Sequence, residues 1–177
     1  MPSGVQTRNL RHGSLSLQDG QANVNTMSIA IDEGNLTFTE AREGVVVKQR
    51  GELDHWSKGE AQPVQVSFGI KYDAYKSKST QAIVAADAGG PVTGFSVRDF
   101  LKNGGGLLTS TSGRDDIYTC DLIFSVEDPT IGDTDEAEVL TFSDFYTDRL
   151  NFNEGDEYNT VQVEGRALLE SPSSARS

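Results

Sequence analysis

Residues 118–126 alternate apolar and polar side chains almost without a break. Tyr118, Cys120, Leu122, Phe124 and Val126 interleave with Thr119, Asp121 and Ser125, and Ile123 is the single violator. A period of two belongs to a β-strand covered on one face, whereas a helix repeats its apolar residues every three to four positions. Val64, Val66, Phe68 and Ile70 follow the same rule against Gln65, Ser67, Gly69 and Lys71. Shorter stretches do likewise: Met27, Ile29 and Ile31; Leu36 and Phe38 after the turn-like Glu33-Gly34-Asn35; Val139 with Thr141; Leu150 with Phe152; Val161 with Val163. The expected fold class is mainly β.

One short helix is signposted over about 96–103. Ser96 is placed to cap it, Asp99 three residues on offers a weak reciprocal carboxylate, and Phe95 and Phe100 occupy hydrophobic-staple positions. Val97, Phe100 and Leu101 then share one face, and Asn103-Gly104 ends the helix where a left-handed residue is needed. Glycine and small hydroxyl residues bracket it, at 85–90 and again from Gly104-Gly105-Gly106 onward, and these read as loops. A chain of 177 residues suits one domain, expected over 1–170, with the serine-rich 171–177 as a flexible tail.

Charge is distributed unevenly. Residues 115–164 hold 15 acids and one base, Arg149, whereas the other 127 residues hold 12 acids and 14 bases. The whole negative excess of −12 therefore lies in one stretch. Such a chain lacks the Lys and Arg that displace counterions from phosphates, so ordinary nucleic-acid binding is excluded. No apolar run reaches the ~18–20 residues of a membrane span, and Met1 to Leu10 lacks the apolar centre of a signal peptide, so folding in a cytoplasm is expected. Cys120 is the only cysteine; it has no disulfide partner in the chain and reads as a small buried apolar residue.

The supply of catalytic groups is thin. His12 and His55 belong to no triad or His-Glu-x-x-His pattern and read as surface or interface residues. The acidic run Asp133-Thr134-Asp135-Glu136-Ala137-Glu138 spaces two carboxylates for calcium, but Glu138 stands where a calcium loop turns on glycine. Gly104-Gly105-Gly106 follows a helix where a phosphate loop precedes one. No enzyme activity, metal or cofactor is expected.

The segment from Arg50-Gly51-Glu52-Leu53-Asp54-His55-Trp56-Ser57-Lys58-Gly59-Glu60 through Pro63-Val64-Gln65-Val66-Ser67-Phe68 resembles the hairpin region of the tail tube proteins of long-tailed bacteriophages. An Arg-Gly start, a basic residue, Gly followed by an acid, and a proline leading an alternating strand recur there in this order. Ser57-Lys58 and Glu60 depart from the Arg and Asp frequent in that family. Gly34-Asn35-Leu36-Thr37-Phe38-Thr39 and the short capped helix also suit it, and together the match covers about a third of the chain.

The resemblance implies a β-sandwich or barrel-like domain flanked by a helix. Six copies would form a ring, and rings would stack into a tube in the virion tail, without cofactor or turnover. Its partners would be further copies of itself, the tape measure protein, and the tail terminator and baseplate or tip proteins. DNA would pass through the bore without specific binding. Under this reading Trp56 anchors a contact between subunits or rings, with Arg50, Lys58 and Glu60 as its charged rim. Asp121, Glu138, Asp144 and Asp148 are candidates for an acidic lumen, which would not hold DNA as a basic wall does. Gly104, Gly105 and Gly106 form a hinge that changes on assembly. Two alternatives remain at this point: a carbohydrate- or receptor-binding β-sandwich, which calls for an exposed aromatic platform, and an end-ring protein of the same fold. The inward positions expected for Phe38, Phe68, Tyr118 and Phe124 speak against the first.

Overall fold

The computed structural model describes residues 13–22, 24–29, 36–76, 83–84, 91–92, 95–102, 108–113, 117–126, 138–155, 159–169 and 171–176. Among the described residues, twelve strands and two short helices follow in the order β1 (Gly13–Gln18), β2 (Thr26–Ile29), β3 (Thr37–Thr39), β4 (Arg42–Gln49), β5 (Glu52–Ala61), β6 (Val64–Lys71), α1 (Tyr72–Lys76), β7 (Ile83–Val84), β8 (Pro91–Val92), α2 (Val97–Leu101), β9 (Cys120–Val126), β10 (Glu138–Asn153), β11 (Thr160–Ala167) and β12 (Ser173–Arg176). The mainly β expectation holds.

Eight strands make one antiparallel sheet in the order β2-β1-β9-β10-β11-β6-β3, with β12 added to β10. The long strand β10 organises it. Its first half pairs with β9 and β12, its second half with β11, and Phe145 sits at the changeover opposite both Cys120 and Ala167. A bulge between Phe142 and Phe145 makes that passage possible, and Asp144 within it takes a left-handed φ of 52°. The sheet curls far enough that the ring of Phe38, on edge strand β3, meets Phe142 edge-on with centroids 5.3 Å apart. The result is a half-closed, barrel-like wrap.

The alternating faces enter one core. Val64, Val66, Phe68 and Ile70 from β6, Leu122 and Phe124 from β9, and Val161 and Val163 from β11 are buried together with Leu15 and Leu17 of β1. Helix α2 brings Phe95, Val97, Phe100 and Leu101 to the same cluster. Its start is held as the sequence suggests, for the Asp99 carboxylate accepts from the Ser96 backbone N–H and from the Ser96 hydroxyl, both at 2.9 Å. Cys120 is buried, and burial pushes its thiol pKa far up, so it stays protonated.

Several expectations need correction. On β10 the core side chains are Phe142 and Phe145, with Leu140 packed beside them, rather than Val139 and Thr141. Apolar side chains at 139, 140 and 142 allow two alternations, and pairing with the core-facing Phe124 and Leu122 of β9 selects Leu140 and Phe142; the bulge beyond them then brings Phe145 to the same face. Phe38 is 39% exposed, and Phe152 is also exposed, ringed by Tyr72 and Tyr75. Both lie at the margins of the core, where one side of the ring stays in water. The segment expected to fray is paired over Ser173–Arg176 with Thr141 to Glu138, because β10 leaves an open ladder edge there. Helix α2 ends at Leu101 with Lys102 as its C-cap; Asn103, the Gly104–Gly106 hinge, the 33–35 turn, Ile31, His12 and residues 133–137 lie outside the described residues.

Candidate functional site: an uncovered arm and an acidic bulge

Strands β4 and β5 pair with each other and belong to no other sheet. Every residue from Arg42 to Ala61 is at least partly exposed, over a β5 about 30 Å long at ~3.3 Å per residue. Arg50 and Gly51 form the tip, with φ values of 51° and 87° between the closing pair Gln49 and Glu52. That is a type I′ turn, which matches strand twist and asks for left-handed residues at both positions. Gly51 adopts it freely, whereas Arg50 holds a strained conformation.

Trp56 therefore lies within a strand rather than in the charged loop its neighbours suggest. Asp54-His55-Trp56-Ser57-Lys58 reads as a loop because neither face of this ribbon is buried, and a strand without a covered face has no reason to alternate. The cross-strand register sorts the side chains. Val46 opposes Trp56, Gly44 opposes Lys58, and an irregularity between Val47 and Lys48 brings Leu53 opposite Lys48. Cross-strand partners share a face. Leu53, Trp56 and Val46 thus form an apolar stripe flanked by Lys48 and Lys58, with Leu53 75% and Trp56 74% exposed. The Trp56 ring lies over Gly44, where an added Cβ would meet its Cε3 at 3.0 Å. The opposite face carries Val45, Val47, His55 and Glu52, and His55 Nδ1 stands 2.7 Å from the Asp54 carboxylate. Glu60 falls at a second irregularity near the root, where Gly59 and Glu60 oppose Glu43. The four expected contact residues are thus all on the arm: Trp56 and Lys58 on one face, Arg50 at the tip, Glu60 at the base.

The acidic candidates gather on β9 and β10. Asp121 and Asp144 are brought together: Asp121 Oδ1 accepts the Asp144 backbone N–H at 2.9 Å and so pins the bulge. The Thr119 hydroxyl donates to Asp144 Oδ1 at 3.4 Å, within a cluster of Ser110, Thr111 and Ser112 hydroxyls. Asp148 is exposed and accepts two 2.8 Å bonds from Arg166, a paired charge rather than a bare one. Glu138 opens β10 opposite Val126 and Arg176.

Burial raises the Asp121 pKa, the Asp144 N–H bond opposes that rise, and the Asp144 charge adds to it. A carboxyl with a raised folded pKa binds its proton more tightly in the native state. Its stability contribution is therefore full below the unfolded pKa and is lost as pH rises through the folded one. Asp121→Asn keeps an acceptor oxygen without the charge. It is expected to leave stability at neutral pH equal or higher and to remove this fall between the ordinary carboxylate pKa and the raised one. Asp121→Ala leaves the Asp144 N–H unpaired and is expected to lose about 1–3 kcal/mol. Urea unfolding of both variants across pH 3–7 checks the pair.

A second surface was not visible in the sequence. Pro63, Ile117, Tyr146, Ala167 and Leu168 wall an open groove of about 570 Å³ beside Asp144 and Arg166, with Leu168 75% exposed. These residues come from four separated stretches of chain, and nothing in the local pattern at any of them signals a shared surface.

No known protein family matches the chain, and no curated protein is similar to it. Among solved structures, the cryo-EM structure of the anti-feeding prophage (AFP) baseplate, 6-fold symmetrised, contains a chain similar to this one with a TM-score of 0.48 and 7% identity, over 99% of this chain and 97% of that chain.

Proposed function

We propose that this chain is a structural building block of a bacteriophage tail tube, with six copies closing a ring and rings stacking into a hollow conduit. The observation that carries the reading is the arm. A two-stranded ribbon without a third strand is marginal in water, and this one displays Trp56, Leu53, Val45 and Val46 to solvent. Such a ribbon gains its stability from another molecule, and an apolar surface of this kind marks an association site. The residues that resemble the tail tube hairpin, Arg50 to Phe68, occupy the tip and second strand of the arm and run on into β6.

The charge fits the same role. DNA carries one charge per ~1.7 Å of duplex axis, so a basic bore would hold it through phosphate contacts and an acidic bore releases it. Screening confines that repulsion to about 8 Å, so it acts as local lubrication along the wall. Asp144 and Asp148 along β10, with Asp121 beside them, are assigned to the wall; Glu138 stands two positions before Leu140, at a register position of the core-facing side of β10, and is not. The tape measure protein fills the bore before DNA, and terminator and baseplate proteins cap the two ends.

Negative-stain microscopy of the purified protein at high concentration tests this reading. Hollow rings or tubes are expected. A protein that stays monomeric under those conditions contradicts it.

A further inference from the structure

The connection from β1 to β2 opens on Asp19-Gly20, the one Asp-Gly step in the sequence. In an unfolded chain such a step rearranges unaided, because glycine has no Cβ to obstruct the approach. The glycine backbone nitrogen attacks Cγ of the aspartic acid, an N–C bond forms, and the carboxyl hydroxyl leaves with the amide proton as water. The resulting succinimide ring takes water back at either carbonyl. Opening at the side-chain carbonyl restores aspartate; opening at the α-carbonyl leaves the main chain running through the side chain, an isoaspartate of unchanged mass. We infer that Asp19-Gly20 is a latent modification site, shut while the β1–β2 connection is folded and converted to isoaspartate once it opens, after which the connection cannot re-form. The site owes nothing to the assembly role proposed above.

Both reacting groups are occupied in the fold. Asp19 is 3% exposed, and its carboxylate is tied at both oxygens: Oδ1 accepts the Asn25 N–H at 2.8 Å and the Gln21 N–H at 3.4 Å, and Oδ2 accepts from Asn25 Nδ2 at 2.7 Å. The Gly20 N–H donates to the Thr109 carbonyl at 2.9 Å, so the nitrogen keeps the proton it must shed to attack.

Neither residue is free to change. A Cβ at position 20 would collide with the Ser110 carbonyl oxygen and stand 3.0 Å from Thr111 Cα, and both are backbone atoms. Asp19 closes the connection, since its own N–H also donates to the Asn25 carbonyl at 3.2 Å. The reactive step is thus shielded by the same bonds that require it. Isoaspartate inserts one carbon into the main chain here, which shifts the Gly20 N–H from Thr109 and withdraws the carboxylate from Asn25. Strand β1 pairs with β2 as far as Gln18 and Thr26, so the error falls at the end of that ladder.

Peptide mapping at neutral pH, with the protein folded or held in guanidinium chloride, tests it. Trypsin releases residues 12–42 as one peptide, and electron-transfer fragmentation locates isoaspartate at 19. Asn103-Gly104, the one Asn-Gly step, serves as the clock, for it follows the same ring chemistry with ammonia leaving and gains mass. Both steps are expected to convert in denaturant. In the folded protein isoaspartate at 19 is expected to form at least about tenfold more slowly, because only opened molecules react. Asn25→Ala, its fold verified by circular dichroism, removes one tether and is expected to raise the folded-state rate about fivefold. Should that variant not fold, the two rates of the unaltered chain decide. After dilution of the aged sample into buffer, the folded fraction from size-exclusion chromatography is expected to be depleted in isoaspartate relative to the aggregate. Equal rates in folded and unfolded protein overturn the shielding, as does an unchanged rate in folded Asn25→Ala. Aspartate intact at 19 in denaturant while Asn103 deamidates overturns the latent site. A folded fraction as rich in isoaspartate as the starting mixture overturns the loss of refolding.

Discussion

Replacement of Gly165 by valine is expected to leave a chain that cannot reach its native fold. A Cβ at this position would stand 2.5 and 2.6 Å from Cζ and Cε2 of Phe145 and closer still to the Tyr146 carbonyl oxygen. The carbonyl belongs to the backbone of β10, and the ring is fully buried against Phe68, with centroids 6.3 Å apart. Neither can step aside without moving the strand that joins the two halves of the sheet. Gly165 is the point where the Phe145 ring crosses β11, so the expected loss exceeds about 4 kcal/mol, the range of severe overpacking and broken backbone pairing. Soluble yield and far-UV circular dichroism report it. Gly113→Asn is the control, since that residue has a φ of 62° with open space around it and a left-handed conformation asparagine tolerates. Its stability is expected to change little.

Phe142→Ala is expected to lower stability by about 3–5 kcal/mol, the usual range for a fully buried phenylalanine. Phe142 is completely buried and lies where β3 closes over β10. Its loss leaves a cavity and also removes the edge-on partner of Phe38. Phe38→Ala, half in water, is expected to lose much less. The two changes together are expected to fall short of their sum by about 0.5–1.5 kcal/mol, the coupling of an aromatic pair. Denaturant unfolding of the three variants measures the cycle. Strict additivity would mean that the sheet does not depend on this contact for its curl.

These two residues also show which parts of the fold are legible along the chain. Strands β6, β9 and β11 bury one face and leave the other polar, so Val64, Leu122 and Val163 stand out by spacing alone. The short helix is legible because Ser96, Asp99 and the two phenylalanines are local signals. Strand β10 misleads: apolar side chains at 139, 140 and 142 fit two alternations, only pairing with β9 puts Leu140 and Phe142 inward, and the Asp144 bulge beyond them carries Phe145 to the same face. A left-handed aspartate stabilised by a carboxylate 23 positions earlier is a tertiary event, and local spacing carries no trace of it.

The candidate site divides the same way. Trp56, Lys58, Arg50 and Glu60 could be singled out from residue type and resemblance, and all lie on the arm. Their membership of one uncovered ribbon could not be read, because a strand solvated on both faces looks like a polar loop. The groove of Ile117, Tyr146 and Leu168 is assembled by folding from distant stretches. Exposed hydrophobic residues that gather only in three dimensions leave no periodic mark.

The central claim is that copies of this chain enclose a passage with an electronegative wall. A cryo-electron microscopy cross-section of the assembled particle measures it directly. The account predicts a hollow centre on whose wall carboxylates of the β9–β10 region outnumber lysines and arginines, with the arms engaged on neighbouring copies. A solid particle, or a bore lined by basic side chains, would contradict it.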